Sequence, residues 1–492
     1  MDLSVKIIGS GIAGLASAVR MASKGHRVTV FEQAAEPGGK MGEIRWKDFR
    51  WDAGPSLFTL PDLMEELYVI ADEEMKLSVR YRQLETITRY FYDTGLVINA
   101  YGDPREFARE VEMKTGESQK RVLKFLNRAR KIYELTRDVF IFGVFNSVST
   151  FVSPQFLKAA LQIYRLEAFS TMHRANRRKF SSDQLVQLFD RYATYNGSNP
   201  YRAPGTLNVI SHLEHNMGAY FPEKGMRVLA TELYNLARKL GVEFQFDSRV
   251  DRILMEHGSV KGLRVNGVDQ PADLVISDVD IYYVYKDLLP DQPFPKKYFK
   301  GERSTSAMIF YWALDQSFQE LELHNILFSS DYRKEFDSLF EDQQVPDDPT
   351  VYIFISSKMV PGDAPEGKEN WFVMINVPPD TGQDWDRETE RARGLILNRI
   401  SKVLGISVEE HILHETIRDP RNIEKETFSY QGSLYGSSSN HTMAAFNRHP
   451  NHRHNMKGLY FVGGSVHPGG GIPLCLASAK IVEKQIIKHY YR

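Results

Sequence analysis

The stretch VKIIGSGIAGLASAVRMASKGHRVTVFEQ, residues 5–33, decides how the first part of the chain folds. Its apolar start predicts a short buried strand, and the spacing of Leu15, Val19 and Ala22 predicts an amphipathic helix. A second strand, RVTVFE, closes with Glu32. Between the first strand and the helix stand three glycines with the spacing G-x-G-x-x-G: Gly9, Gly11 and Gly14.

This order of elements is typical of dinucleotide binding. Gly9 permits the tight turn, Gly11 lets the backbone approach a pyrophosphate, and Gly14 lets helix and strand pack closely. The start of the helix offers free N–H groups and a positive dipole end to the phosphates. Glu32 follows Gly14 by 18 residues, near the usual spacing of about 20 for an acid that binds ribose hydroxyls. An acid here disfavours a 2′-phosphate, so the pattern predicts FAD or NAD rather than NADP.

Composition sets the broad class. The chain has 492 residues, of which 42% are hydrophobic and 25% charged, typical of a globular protein with two domains. The 62 basic and 63 acidic side chains nearly cancel, which argues against nucleic acid as a partner. A single cysteine, Cys475, excludes an internal disulfide and a cysteine-based zinc site and favours a reducing compartment. No metal site is expected. With no signal peptide and no membrane span evident, we expect a cytoplasmic protein.

Two further glycine-rich segments favour FAD. They are EPGGKMGEIRWKDFRWDAGPSLF (36–58) and GGSVHPGGGIPLCLASAKI (463–481). Both resemble segments of glutathione-reductase-type flavoproteins of the amine-oxidase and carotenoid-desaturase group. The resemblance implies non-covalent FAD, held at Gly38, Gly39, Lys40, Gly54, Pro55, Val250, Asp278, Gly463, Gly464, Gly471, Ile472 and Pro473. Cys475 follows the last glycine turn and is interpreted as a helix packing residue, not as a flavin attachment point.

The same resemblance implies an α/β fold with a split Rossmann-like domain. Residues 1–75, 222–290 and 440–492 are predicted to form the FAD-binding domain. Residues 76–221 and 291–439 are predicted to fold back together as an α+β substrate-binding, membrane-facing domain. Helices dominate its first part, and strands such as SAMIFYWAL, TVYIFISS and WFVMINVP supply its sheet.

Over its whole length the chain resembles the carotenoid desaturases of the bacterial phytoene desaturase group. Within the group, RYATYNGSNPY (191–201) and PEKGM (222–226) look most like the 1-hydroxycarotenoid 3,4-desaturases. The resemblance implies FAD-dependent desaturation of an acyclic or monocyclic carotenoid, by hydride transfer to the flavin and proton loss. Phytoene desaturation is the alternative within the group. An amine oxidase is a further alternative, but Ser465 to Pro468 stand where an aromatic cage is usual.

An alternative of another class is a flavin-free protein that binds or escorts prenyl groups. Such proteins share the split fold, but they typically erode the first glycine turn and the late glycine segment. Both are intact in this chain.

No residue pattern identifies a catalytic base. The sequence contains no Ser-His-Asp or Cys-His arrangement, and the polyene spreads charge, which reduces the need for a strong base. Asp190, His212 and Glu214 are candidate proton acceptors, with a structural role as the alternative for each.

A lipid-borne substrate requires contact with a membrane surface. Residues 139–169 are the most apolar extended region, and the basic segment HRANRRK (173–179) follows them. Phe156, Leu157, Ala160, Leu161 and Tyr164 can share one helical face, as in an interfacial helix. The alternative is a helix that covers the substrate domain and has a solvated basic end. The oligomeric state is left open.

Overall fold

The first sheet forms around the opening stretch of the chain. The computed structural model describes residues 2–143, 167–441, 444 and 447–491. In it the opening stretch folds as predicted into a strand, a helix and a second strand: Ser4–Ile8, Ile12–Ala22 and Arg27–Phe31. The helix ends before Gly25, which lies in the turn that follows.

Three more strands complete a five-stranded sheet in which every neighbouring pair is parallel. Across the sheet their order is Leu459–Phe461, Leu274–Ser277, Ser4–Ile8, Arg27–Phe31 and Glu243–Gln245. Val5 and Ile7 of the central strand are fully buried, as expected where helices cover both faces of a parallel sheet. Ser4–Ile8 therefore lies between the next strand of the chain, Arg27–Phe31, and a strand that is far away in sequence, Leu274–Ser277.

Helices and a small sheet cover this core. Helix Ile12–Ala22 packs against Arg227–Lys239 and Ile472–Tyr490. Arg227–Lys239 buries Leu229, Leu233 and Leu236, the stripe that its spacing predicts. An antiparallel three-stranded sheet and a hairpin lie alongside: Val250–Glu256, Ser259–Val265 and Val268–Pro271, and Glu43–Trp46 with Phe49–Asp52.

A second, mixed sheet has seven strands. Their order is Ile412–Arg418, Ser306–Leu314, Glu369–Val377, Val351–Phe354, His324–Leu327, Thr86–Phe91 and Val97–Tyr101. One face packs its large side chains, including Trp312 and Trp371, around helix Trp385–Leu404. The other face is turned towards the first sheet, where the Tyr311 hydroxyl donates to the Ala53 carbonyl at 2.8 Å. This second face closes over the loop after the hairpin.

The remaining strands pair as Tyr81–Gln83 with Tyr220–Pro222. The other α-helices within the described residues are Asp62–Ile70, Met75–Ser78, Pro104–Thr115, Gln119–Thr136, Met172–Arg177, Asp183–Asp190, Val209–His215, Ile281–Tyr283, Tyr332–Asp337 and Pro420–Thr427.

The strands divide between the two sheets as the sequence analysis expects. All five parallel strands lie within 1–75, 222–290 and 440–492, and all seven of the mixed sheet within 76–221 and 291–439. This distribution supports the proposed domain boundaries, which stay a prediction. Among the described residues, no helix is both long and apolar enough to cross a membrane.

Candidate active site

The first two glycine segments touch each other beside the start of helix Ile12–Ala22. The backbone N–H of Gly38 donates to the Ser10 carbonyl at 2.9 Å. A Cβ built on Gly39 would lie 3.4 Å from the Gly11 Cα, so the two turns approach backbone to backbone. A Cβ on Gly54 would lie 2.2 Å from the Lys40 carbonyl oxygen, which leaves no room for a side chain there. Pro55, which follows Gly54, is half-buried.

The late glycine segment meets the same place from the other side of the sheet. It follows strand Leu459–Phe461 and ends at Gly471, where helix Ile472–Tyr490 begins with Pro473 in its first turn. A Cβ on Gly463 would lie 2.3 Å from an Asp278 carboxylate oxygen, and one on Gly464 would lie 3.2 Å from the Gly470 Cα. Gly463 also has a φ of +96°, which favours glycine.

Asp278 lies between the first and the last glycine segments. Its carboxylate accepts a hydrogen bond from the Gly14 N–H at 3.0 Å, and a Cβ on Gly11 would lie 2.5 Å from the same oxygen. Burial raises the pKa of Asp278 to about 7, with Glu32 adding to the rise and Lys40 opposing it. At neutral pH this carboxyl group is therefore divided between its protonated and ionised forms.

Glu32 holds the glycine turn as well as lying where a ribose is expected. Its carboxylate accepts from the Ser10 backbone N–H and from the Ser10 hydroxyl, both at 2.8 Å, and from the Ala34 N–H at 2.9 Å. The Ser248 N–H donates to the Glu32 carbonyl at 2.8 Å. This contact brings the chain just before Val250 beside the predicted adenosine end of the site.

Lys40 lines a cleft between these segments. Much of its surface is accessible, yet the surrounding protein desolvates its ammonium and lowers its pKa. A side chain that lies along the wall of a deep cleft is both accessible to solvent and largely surrounded by protein, as these two properties of Lys40 require. Gly39 and Gly471 are accessible as well, so the second and the late glycine segments both border this cleft.

The residues fit FAD. Side chains are excluded by contact at Gly11, Gly14, Gly54 and Gly463, which leaves a cradle of bare backbone. The first-turn N–H groups of helix Ile12–Ala22 have no acceptors within the helix and suit a pyrophosphate. The cleft bordered by Gly39 and Gly471 suits the rest of the cofactor.

The structure does not bring the three candidate proton acceptors together. Asp190 is buried, with its carboxylate 2.6 Å from His173 Nδ1 and 2.8 Å from the Asn176 amide nitrogen. His212 lies 2.9 Å from the Asn216 side chain, and burial lowers its pKa to about 4, so its ring is neutral at pH 7. Both residues have structural partners, and their catalytic role stays a prediction.

Glu214 belongs to a separate buried network. Its carboxylate accepts from the hydroxyl groups of Tyr192 and Tyr195, at 3.0 and 2.6 Å, and from Arg191 at 3.4 Å. The Arg191 guanidinium also lies over the rings of Tyr90, Tyr192 and Tyr195. With a buried cation and two hydroxyl donors already bound, Glu214 has little capacity left as a base.

One polar group that the sequence analysis missed is a hydrogen-bonded chain of Ser56, Tyr352 and His324. The Ser56 and Tyr352 hydroxyl oxygens are 2.6 Å apart, and Tyr352 Oη lies 2.8 Å from His324 Nδ1. The three residues come from distant parts of the sequence, and no motif signals them. Only Ser56 could have been suspected from the sequence, because it directly follows the predicted cofactor-binding residues Gly54 and Pro55.

The predicted membrane-facing side chains Phe156, Leu157, Ala160, Leu161 and Tyr164 lie outside the described residues. The basic segment after them is described. Arg174, Arg177 and Arg178 are exposed and Lys179 is half-buried, on and after helix Met172–Arg177. No group of three or more His, Cys, Asp or Glu side chains in the described part of the chain is arranged to hold a metal ion.

The parallel sheet, the helix that opens on glycines, and the acid at the end of the second strand define a dinucleotide-binding protein. The family model for flavin containing amine oxidoreductases matches residues 12–487. The chain therefore belongs to this family, which confirms the predicted flavin cofactor and the predicted fold class.

Relatives within the family are carotenoid enzymes. The chain is 46% identical to the 1-hydroxycarotenoid 3,4-desaturase of Flavobacterium sp. (strain P99-3), over 96% of this chain and 97% of that one. It is 29% identical to the phytoene desaturase of Fusarium fujikuroi, over 99% and 89% of the two chains. These relatives confirm the resemblance to carotenoid desaturases.

A solved structure shows the same fold at low identity. The cyclohexylamine oxidase from Brevibacterium oxydans IH-35A is 15% identical, with a TM-score of 0.60 over the full length of both chains. At this identity the likeness extends to the fold alone.

Proposed function

We propose that the protein is an FAD-dependent desaturase that introduces the 3,4 double bond into a 1-hydroxycarotenoid. The observation that supports this most is the 46% identity, over nearly the whole of both chains, to an enzyme named for that reaction. The phytoene desaturase is less similar, at 29%. The convergence of three glycine segments on one cleft supports a bound flavin and argues against a flavin-free escort protein.

We assign the following roles to the residues of the site. Glu32 and the glycine turns hold the adenosine and pyrophosphate parts of FAD, and the segments at Gly54 and Gly471 hold the part that reacts. Bound FAD supplies the hydride acceptor. The second face of the seven-stranded sheet carries the half-buried side chains Tyr352 and Met374, which offer apolar surface to a polyene.

The test of function uses purified protein that carries its flavin. Acid precipitation should release the flavin, because we propose non-covalent binding. The protein is then incubated with a 1-hydroxycarotenoid, with the matching carotenoid without hydroxyl, and with phytoene. We expect a new double bond, seen as a shift of absorption to longer wavelength, on the hydroxylated substrate. Preference for phytoene would select the alternative within the group. Stable protein that cannot take up FAD would select the escort class.

We further propose that the protein docks on a membrane surface through residues 139–179. An acyclic carotenoid does not leave a bilayer readily, since each exposed CH₂ costs about 0.8 kcal/mol. In the described part of this region, the Phe169 side chain is 77% exposed and Arg174 and Arg178 are exposed nearby. An exposed aromatic group beside arginines suits an anionic lipid surface.

Liposome sedimentation tests the docking proposal. Replacing Phe156, Leu157 and Leu161 with Ser should release the protein from vesicles and leave its flavin content unchanged. Val69 and Met113, whose side chains are 73% and 69% exposed elsewhere, provide the control when replaced with Ser. Equal sedimentation of the triple variant and the wild type would refute the proposal. With anionic vesicles, the basic segment should add about 1 kcal/mol per residue, lost in high salt.

A further inference from the structure

The hydrogen-bonded chain formed by the side chains of Ser56, Tyr352 and His324 interrupts an apolar surface. It lies on the second face of the seven-stranded sheet, where the His324 ring stacks on Phe354 at 5.2 Å and Tyr352 meets the edge of Phe372 at 6.2 Å between ring centroids. A polar group in such surroundings is costly unless it is hydrogen-bonded. The Ser56 hydroxyl, at the end of the hydrogen-bonded chain that faces the cleft, therefore needs a hydrogen-bond partner.

The hydrogen-bonded chain of polar groups begins next to one of the glycine segments. Ser56 follows Gly54, whose backbone packs against the Lys40 carbonyl and whose segment is assigned to the reacting part of the flavin. The Ser56 hydroxyl is thus beside the part of the cleft assigned to the reacting end of the flavin.

The direction of the hydrogen bonds follows from His324. Burial lowers its pKa to about 3, so the ring is neutral and carries one N–H. Its Nε2 is buried with no partner among the described residues. A buried N–H without a partner is rarer than a buried acceptor without one, so we assign the proton to Nδ1. His324 then donates to Tyr352, Tyr352 donates to Ser56, and the Ser56 O–H is left to donate outward.

The solvent accessibility of the three residues places Ser56, the outer end of the hydrogen-bonded chain, on the cleft wall. Ser56 and Tyr352 are half-buried, whereas His324 is only 2% exposed. A plain hydrocarbon offers no acceptor to the Ser56 O–H, but a substrate hydroxyl oxygen does. In a 1-hydroxycarotenoid, three covalent bonds separate that oxygen from C3, so its receptor must lie next to the reacting carbons. The position of Ser56 meets this requirement.

We propose that Ser56, Tyr352 and His324 bind the C1 hydroxyl of the substrate and fix which carbon–carbon bond lies at the flavin. This proposal rests on the proposed function and deepens it. Ser56 makes the contact, while Tyr352 and His324 are positioning residues that orient its O–H. A substrate without the hydroxyl leaves the donor unpaired, which is how a polar site rejects an otherwise similar molecule.

The test compares Ser56→Ala and Tyr352→Phe with wild type on the 1-hydroxycarotenoid and on the same carotenoid without hydroxyl. We expect kcat/KM for the hydroxylated substrate to fall about 10- to 100-fold, the value of one hydrogen bond with an unpaired partner. kcat/KM for the carotenoid without hydroxyl should rise, because each variant removes or misorients the donor that this substrate leaves unpaired. We also expect some product to be desaturated outside the 3,4 position, because the polyene can slide.

Tyr90→Phe is the matched control. Tyr90 lies on the neighbouring strand, beside Ile326, and its buried hydroxyl makes no hydrogen bond of normal geometry to any residue that the structure describes. Its substitution should preserve the preference for the hydroxylated substrate. Flavin absorption and thermal unfolding of each variant report whether the site is intact.

The outcomes separate the two proposals. If wild type desaturates both carotenoids with the same kcat/KM, or if both variants keep the wild-type preference, the hydroxyl site is refuted while the carotenoid function stands. If flavin-loaded wild type acts on no carotenoid, the proposed function fails and the hydroxyl site fails with it.

Discussion

Asp278 is the residue on which the glycine segments converge. It contacts the first turn through Gly14 and closes the last turn at Gly463, so small changes around it affect both ends of the cleft. The sequence motif identified the glycines because their function depends on local spacing. It did not reveal the contact of Asp278 with Gly14, because the two residues meet only when distant strands pair.

Gly11→Ala should abolish FAD binding and leave most of the fold intact. The added Cβ would lie 2.5 Å from the Asp278 carboxylate and would fill the approach to the pyrophosphate. Flavin absorbance per protein after gel filtration measures the loss. Gly394→Ala, in an open position of helix Trp385–Leu404, is the control and should retain flavin. Full occupancy in Gly11→Ala would contradict this account of the turn.

Asp278→Asn should flatten the dependence of stability on pH. In the folded protein burial raises the pKa of Asp278 to about 7, above the ordinary value of 3.8. The folded state therefore binds the proton more tightly, and the stability contributed by the protonated group is lost as pH rises from about 4 to 7. Denaturant unfolding of the flavin-free protein at pH 5 and pH 8 should show a smaller difference for the variant.

The same substitution should also affect flavin retention. An ionised Asp278 beside the helix start opposes a pyrophosphate, so wild type should release FAD more readily above pH 7. Asp278→Asn should hold FAD equally well at both pH values. If FAD release depended on pH in the same way for wild type and Asp278→Asn, an electrostatic role of Asp278 would be contradicted.

At the scale of elements, buried ion pairs tie three helices together. Arg20 of helix Ile12–Ala22 contacts Glu483 at 2.8 Å and Glu66 at 2.9 Å, and its side chain is only 3% exposed. The individual helices could be predicted from apolar spacing. Their contacts could not, since Arg20 and Glu483 are far apart in sequence and each resembles an ordinary surface charge.

Arg20→Met should destabilise the protein by about 3–5 kcal/mol, because it leaves the Glu483 carboxylate buried without its main partner. Lys24→Met is the control: Lys24 lies 3.5 Å from the same carboxylate but its side chain is 45% exposed, so about 1 kcal/mol or less is expected. Adding Glu483→Gln to Arg20→Met should restore part of the loss. Equal effects of the two single variants in denaturant unfolding would refute this assignment.

At the scale of the whole molecule, Arg50 links the two predicted regions, the FAD-binding region and the substrate-binding region. It contacts Asp52 at 2.6 Å, next to the loop that carries Gly54, and Asp363 at 3.1 Å in the second region. Asp52 in turn accepts from the Met226 and Arg227 N–H groups at the start of a helix of the first region. Composition and motif spacing indicated two regions. They carried no information on this junction, which depends on the folded backbone.

The whole molecule should therefore unfold in one transition, and added FAD should stabilise it against that unfolding. Because the loop at Gly54 belongs to both the cleft and the junction, FAD at 100 times its Kd should raise the free energy of unfolding by about 2.7 kcal/mol. Calorimetry with and without added FAD measures the shift. Two separate transitions, of which only one moves with FAD, would show that the junction does not couple the regions.

The sheet order has a consequence for biosynthesis. Strand Ser4–Ile8 is synthesised early, yet one of its neighbours is Leu274–Ser277, and Leu459–Phe461 extends the sheet beyond that. As the nascent chain leaves the ribosome, an apolar central strand waits for partners that have not yet been translated. Such exposed edges are prone to aggregation, so the growing chain is at risk until strand Leu274–Ser277 has been made. The late glycine segment follows strand Leu459–Phe461, so the flavin cleft is complete only after that strand has been translated.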